Sequence, residues 1–155
     1  ARRADEKKSA ELEHAAGIGL VMIEMPADAI VRLERATELA PNDAKALSDL
    51  AAAQYSVALA RERSSLYAAA LASVDRALRI DPNNVKAHAL AGSVAYENRQ
   101  FAQAASHWER VQGLIPSGSD FADTIRANIA EARGLAGAAE NKRPRLPAPS
   151  AARAP

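Results

Sequence analysis

Three histidines, His14, His88 and His107, are the side chains in this chain best suited to metal binding or proton transfer. They lie in separate segments, and none has a Cys, Asp or Glu at the i,i+4 helical spacing that a metal site uses. We therefore expect packing or surface roles for all three, and no metal site.

The other reactive residue types form no catalytic pattern. Carboxylates are scattered over predicted helix exteriors without an acid/base pair. The serines lack a nucleophile-elbow context, and there is no glycine-rich phosphate loop. The absence of cysteine excludes a disulfide framework, a zinc ribbon, a CxxC redox site and covalent c-type haem attachment to this chain. We expect neither catalysis nor a cofactor.

Charge and hydropathy give no sign of a nucleic-acid or membrane partner. Twenty basic residues balance nineteen acidic ones, so no strong field is directed at either. The longest apolar run, from Ile18 to Ile23, is too short to cross a bilayer. Because the chain begins at Ala1 rather than methionine, we expect a processed product or a fragment.

Three prolines, Pro41, Pro82 and Pro116, close the similar phrases LERATELAP, VDRALRIDP and WERVQGLIP. The second interval is 34 residues, the period of a tetratricopeptide (TPR) helical hairpin, and the first is 41. Hydrophobic content is 48% with only 4% aromatic residues, because alanine dominates, and this composition suits closely stacked helices.

The sequence thus predicts an all-α TPR helical-hairpin solenoid, with three repeats and a C-terminal capping helix. The TPR domain is expected over 1–137. Its repeats lie at about 10–43, 44–84 with a lengthened first helix, and 85–118, followed by a capping helix over 119–136. A disordered, basic, proline-rich tail is expected over 138–155. We expect this tail to be either a solvated extension or a strip that docks on a partner.

Small and large residues recur where stacked hairpins need them. In each repeat a small residue lets the two helices cross closely, an alanine on the second helix does the same, and a large residue fills the gap toward the next repeat. These three sets are Gly17, Ala51 and Gly92; Ala29, Ala70 and Ala104; and Leu33, Val74 and Trp108.

Seven extra residues lie between Tyr55 and Tyr67, around ALARERSS. Together with the phrase AGSVAYENRQFAQAASHWERV, this lengthened helix resembles the periplasmic TPR domains of c-type cytochrome biogenesis proteins of the CcmI and NrfG type, over Pro41 to Gly137. The segments ALSDLAAA and LYAAALASVDRALRIDP are also similar to TPR segments of CHAT-type bacterial proteins. The first resemblance implies a periplasmic chaperone or assembly factor that holds the C-terminal segment of an apocytochrome c for haem attachment. A cytoplasmic location stays open.

In stacked hairpins the first helix of each repeat lines the concave groove, where a partner protein would bind through an extended C-terminal segment. Two lysines and two tyrosines there suit a ligand with an acidic group or a free carboxylate. Ala52 and Ser93 stand where the well-known carboxylate clamp has asparagines, so no strict clamp is predicted. The predicted peptide-binding residues are Lys45, Ser48, Ala52, Tyr55, Lys86, Ala89, Ser93, Tyr96 and Glu97, with His14, Ile18 and Met22 extending the wall.

A second interpretation is a structural subunit that packs permanently into a larger, possibly membrane-associated, bacterial complex. In either interpretation the partner is another protein, with no nucleic acid and no insertion of this chain into a membrane. The RERSS stretch is expected to be the solvated end of a long helix, or to place Arg61 and Arg63 as a basic lip beside the groove.

Overall fold

The computed structural model describes residues 2–61 and 64–142, in which the chain forms helices and no strands. The helices are α1 Arg2–Met22, α2 Pro26–Leu39, α3 Ala44–Arg61, α4 Ser64–Ile80, α5 Val85–Glu97, α6 Phe101–Leu114 and α7 Asp120–Asn141.

The helices stack in chain order. Each consecutive pair forms a hairpin, α1 with α2, α3 with α4 and α5 with α6, and the second helix of each hairpin packs on the first helix of the next. The first helices also meet directly, α1 with α3 and α3 with α5, while α6 packs on α7. This arrangement confirms the predicted all-α solenoid of three hairpins with a final covering helix.

Residues in the turns between helices start the helices that follow. Pro26 occupies the first turn of α2, where a missing N–H costs nothing. The Asp43 carboxylate accepts hydrogen bonds from the backbone N–H groups of Lys45 and Ala46, at 3.0 and 3.1 Å. Asn84 caps α5 and Ser119 caps α7 in the same way. The caps at Asp43 and Asn84 fix where the second and third hairpins begin, and Ser119 fixes the start of α7.

The buried side chains form three clusters, one at each junction along the array. Leu33, Leu50 and Val57 belong to the junction of the first and second hairpins. Leu47 and Val74 pack with Ala87 at the junction of the second and third. Trp108, Val111, Ile125 and Ile129 join the third hairpin to α7. Apolar burial therefore continues from each repeat into the next, as in other solenoids.

Two glycines allow the hairpins to close. A Cβ atom on Gly17 would lie 2.6 Å from Leu33 Cγ, and one on Gly92 would lie 2.4 Å from Trp108 Nε1. Leu33 and Trp108 thus do more than the sequence predicted: besides filling the gap toward the next repeat, each covers the glycine of its own hairpin.

The extra length of the second repeat is shared by both of its helices. α3 has 18 residues against 13 in α5, and α4 has 17 against 14 in α6. The prediction of a single lengthened first helix was therefore incomplete, because α4 is lengthened as well. Arg61 ends α3, whereas Arg63 of the expected basic lip lies outside the described residues.

Both ends of the array extend beyond the predicted limits. The charged N-terminal stretch is helical from Arg2, and α7 continues to Asn141, so positions 138–141 of the expected tail are helical. The remainder of that tail, 143–155, lies outside the described residues. Within the described part of the chain, no helix combines the length and apolarity needed to cross a membrane.

Candidate peptide-binding groove

A buried carboxylate, Asp49, joins the first helices of all three repeats. Asp49 lies on α3 and is only 3% exposed. Its Oδ2 lies 2.7 Å from His14 Nε2 on α1, and its Oδ1 pairs with Lys86 Nζ on α5. The two contacts explain how a charged group is buried here, since both carboxylate oxygens are hydrogen-bonded.

The sequence did not predict the burial of Asp49 or the contacts that Lys86 and His14 make with it. Lys86 was predicted to face a ligand, but its ammonium group is paired within the protein. His14 was predicted to extend the groove wall and instead holds α1 against α3. The available clue was a lone acidic residue inside the apolar stretch ALSDLAAA.

The two predicted groove tyrosines also make contacts between helices. Tyr55 packs edge-on against Tyr67 of α4, with ring centroids 5.4 Å apart. Burial raises the pKa of the Tyr55 hydroxyl, and Tyr67 and the nearby Glu97 raise it further. The Tyr55 hydroxyl is therefore neutral at physiological pH and can act as a hydrogen-bond donor.

Tyr96 connects α5 to α7. Its hydroxyl donates to Glu131 Oε1 at 2.6 Å, and its ring contacts Phe101 and Trp108. The hydrogen bond to Glu131 raises the pKa of Tyr96, with desolvation adding to the shift. Like Tyr55, Tyr96 is half-buried, so its ring is partly committed to packing.

A pocket of about 390 Å³ opens between α1 and α3 beside Asp49. Its walls are mostly apolar and include Ile18 and Val21 of α1 and Ala52 of α3. Lys86 and Glu24 contribute polar groups to the same wall. Of the predicted groove residues, Ala52, Lys86 and Ile18 thus line one pocket, and its volume falls in the range of ligand-binding pockets.

The remaining predicted residues of the second repeat lie apart from this pocket. Lys45 is exposed and borders a second hollow of about 590 Å³, which α1, the α2–α3 turn and the end of α4 enclose. Ser48 is buried, and its hydroxyl donates to the Lys45 carbonyl oxygen at 2.9 Å. The prediction that Ser48 faces the groove was therefore wrong.

In the third repeat, two of the predicted residues are engaged in backbone contacts. The Ser93 hydroxyl donates to the Ala89 carbonyl oxygen at 3.1 Å, and the Trp108 indole N–H donates to the same oxygen at 3.3 Å. Two other predicted residues are exposed at helix ends. They are Glu97 at the end of α5 and Met22, 78% exposed, at the end of α1.

His88 and His107, nineteen residues apart, form a pair. Their Nδ1 atoms lie 3.1 Å apart, and His88 Nε2 lies 2.9 Å from the Pro82 carbonyl oxygen. The geometry assigns the Nε2–H tautomer to His88, whose Nδ1 accepts a hydrogen bond from His107 Nδ1–H. The pair ties α5 to α6, in agreement with a structural role. The described residues contain no group of three or more His, Cys, Asp or Glu side chains placed to hold a metal ion.

The histidine pair should make stability depend on pH. Burial lowers the pKa of His107 from 6.5, His88 lowers it further, and Asp75 opposes the shift. The unfolded chain then binds more protons than the folded one just below pH 6.5, so stability should fall as the pH falls through this region. Urea unfolding at stepped pH should show a smaller decline for His107→Asn, which keeps an N–H donor for His88. Parallel profiles for the two proteins would contradict this expectation.

The chain is similar to a curated protein and to several solved structures, although no protein-family model matches it. The cytochrome c-type biogenesis protein CycH of Pseudomonas aeruginosa is 32% identical over 129 residues, which cover 83% of this chain and 31% of CycH. The chain thus spans about a third of the length of this curated relative.

Solved structures, TPR domains among them, superpose on the chain at low sequence identity. The first TPR of Spaghetti (RPAP3), bound to the HSP90 peptide SRMEEVD, has a TM-score of 0.67 at 16% identity, covering 86% of this chain and 98% of that one. The Yersinia enterocolitica type III secretion chaperone SycD, in complex with a peptide of the translocator YopD, has a TM-score of 0.69 at 15% identity, covering 81% and 93%. The chain is therefore a tetratricopeptide-repeat solenoid, and its sequence resembles that of a c-type cytochrome biogenesis protein.

Proposed function

We propose that this chain is a non-catalytic module that holds an extended segment of a partner protein in the pocket between α1 and α3. The observation that carries the proposal is the apolar pocket of about 390 Å³ bordered by Ile18, Val21 and Ala52. An apolar side chain entering it would lose contact with water, which supplies binding energy without a reactive group. Neighbouring backbone and side chains along α3 would fix the direction of the bound segment.

Two structural neighbours support peptide binding as the general activity. The Spaghetti TPR and SycD were each solved with a peptide bound. Their likeness to this chain extends to the fold alone, so the location of the peptide here rests on the pocket described above.

The more specific proposal is that the bound segment is the C-terminal part of an apocytochrome c, held for haem attachment in the periplasm. The similarity to CycH supports this role. The chain has no cysteine and cannot itself carry a c-type haem, so its part would be to present the apoprotein to another component.

Filling the pocket should abolish binding without unfolding the protein. Ser56 is exposed on α3 and borders the pocket, so Ser56→Trp would place an indole in it from the solvent side. We expect a synthetic peptide from the C-terminus of an apocytochrome c to bind the unmodified protein at micromolar affinity. Isothermal titration calorimetry should show a loss of at least about tenfold in the variant, equivalent to about 1.4 kcal/mol.

The matched control is Ser106→Trp, at an exposed position on α6 away from this pocket. It should bind like the unmodified protein. Equal binding by both variants would rule out the pocket as the site. Absence of binding by the unmodified protein would rule out the cytochrome segment as the ligand.

An exposed apolar group at the α1–α2 turn favours the structural-subunit alternative. Val21, Met22, Ile23 and Met25 lie within five residues of sequence and are all exposed. Exposed apolar side chains grouped in this way are typical of a protein interface. Copurification with the same partner before and after Ser56→Trp would favour this alternative over groove binding.

A further inference from the structure

On the basis of the proposed function, we propose that the groove selects a neutral or basic segment with an aliphatic anchor residue and rejects acidic segments. The arrangement of charges supports this preference, because the Asp49 carboxylate already pairs with Lys86 and His14. The sequence had indicated the opposite preference, which depended on Lys86 being free.

Asp49 takes the place that a ligand carboxylate would need. Its two oxygens engage Lys86 on α5 and His14 on α1, and the group is almost completely buried. An incoming carboxylate would meet the exposed side of the Lys86 ammonium group, whose charge Asp49 already neutralises. It would also lie close to the Asp49 carboxylate, and the repulsion between the two anions would weaken its binding.

The charges around the pocket also oppose an acidic ligand. The pocket is lined by two carboxylates, Glu24 and Asp49, and by one ammonium group, that of Lys86. Since Lys86 already pairs with Asp49, the Glu24 carboxylate is left in excess, and the local potential favours basic groups.

The pocket wall sets the anchor residue. Ile18, Val21 and Ala52 supply aliphatic surface, and neither Tyr55 nor Tyr96 lines the cavity. An aliphatic side chain such as leucine matches this surface, because aliphatic groups gain by burial without needing a polar partner. The expected ligand is thus an extended segment with an aliphatic anchor beside lysine, arginine or uncharged residues.

Three fluorescent peptides of equal length and with the same leucine anchor test the preference. One carries flanking lysines, one flanking glutamates and one flanking serines. Fluorescence anisotropy at low salt should give about tenfold tighter binding of the lysine peptide than of the glutamate peptide, as expected for a few partly screened charge contacts. The difference should shrink at high salt, because exposed charges are screened.

Substitution of Asp49 should reverse the selectivity. In Asp49→Asn the shape is kept, while Lys86, which lines the pocket, loses its anionic partner and becomes available to a ligand carboxylate. We expect the glutamate peptide to bind several-fold tighter to this variant than to the unmodified protein. The control is Glu34→Gln, the same change of charge at an exposed position on α2, which should leave the order of the peptides unchanged.

The outcomes separate the two proposals. Equal or tighter binding of the glutamate peptide by the unmodified protein would overturn the charge preference while leaving groove binding intact. Binding of none of the peptides would overturn groove binding, and the preference with it. If Asp49→Asn loses its helical circular dichroism, the comparison of the three peptides on the unmodified protein still decides the question.

Discussion

Replacing Trp108 with alanine is expected to lower the free energy of unfolding by about 3–5 kcal/mol, the usual cost of removing a large buried aromatic side chain. Trp108 is 4% exposed, lies over Gly92 and belongs to the cluster that holds α7 on the third hairpin. Its indole N–H also donates to the Ala89 carbonyl oxygen at 3.3 Å. Truncation would therefore leave a cavity and remove one hydrogen bond.

Equilibrium urea unfolding followed by circular dichroism measures this loss. Phe121→Ala is the matched control, because Phe121 is also aromatic but 45% exposed at the start of α7. Its truncation should cost less than about 1 kcal/mol, since much of the ring already contacts water. Similar losses for the two variants would mean that Trp108 does not hold the third junction together.

The second large effect is expected from the smallest change, Gly92→Ala. The added methyl carbon would lie 2.4 Å from Trp108 Nε1 and 2.6 Å from its Cδ1, well inside van der Waals contact. The ring is rigid and buried, so the helices must separate to admit the methyl group. Overpacking of this kind costs about 1–3 kcal/mol, and occasionally more. We expect a net loss of about 2 kcal/mol, even though alanine has a helix propensity about 1 kcal/mol better than that of glycine.

Gly134→Ala separates the effect of helix propensity from that of overpacking. Gly134 lies within α7, and a Cβ atom there would meet nothing within 4 Å, so only the helix propensity should act. Urea unfolding should show a stabilisation of up to about 1 kcal/mol. In a Trp108→Leu background, where the indole is gone, Gly92→Ala should lose most of its penalty. Gly92→Ala as stable as the original protein would contradict the close contact.

The repeat architecture could be predicted from the sequence because its determinants are local. The prolines and the caps at Asp43 and Ser119 act on nearby residues, and the small and large residues recur at regular intervals along the chain. The register of the repeats then follows from the 34-residue period.

The groove could be predicted only in part, because its polar contacts join residues far apart in the chain. Asp49 is 35 residues from His14 and 37 from Lys86, and Tyr96 is 35 from Glu131. A repeat pattern indicates which face a side chain occupies, but it does not reveal a partner one repeat away. Lys86 and Tyr96 were placed correctly on first helices, yet their internal partners went unnoticed.

The pairing of His88 with His107 was missed for the same reason. Each histidine lacks a partner one turn away on its own helix, so each looked isolated in sequence. The contact depends on the antiparallel packing of α5 and α6, which brings together residues nineteen positions apart.

The unequal hairpin lengths have a consequence for how the chain reaches its native order. Similar hairpins in tandem can stack on the wrong neighbour, because their exposed faces are alike. The α3–α4 hairpin is longer than α5–α6 in both of its helices, so exchanging the two would place helices of unequal length side by side. The added residues therefore mark the middle position of the array and penalise misordered assembly of the repeats.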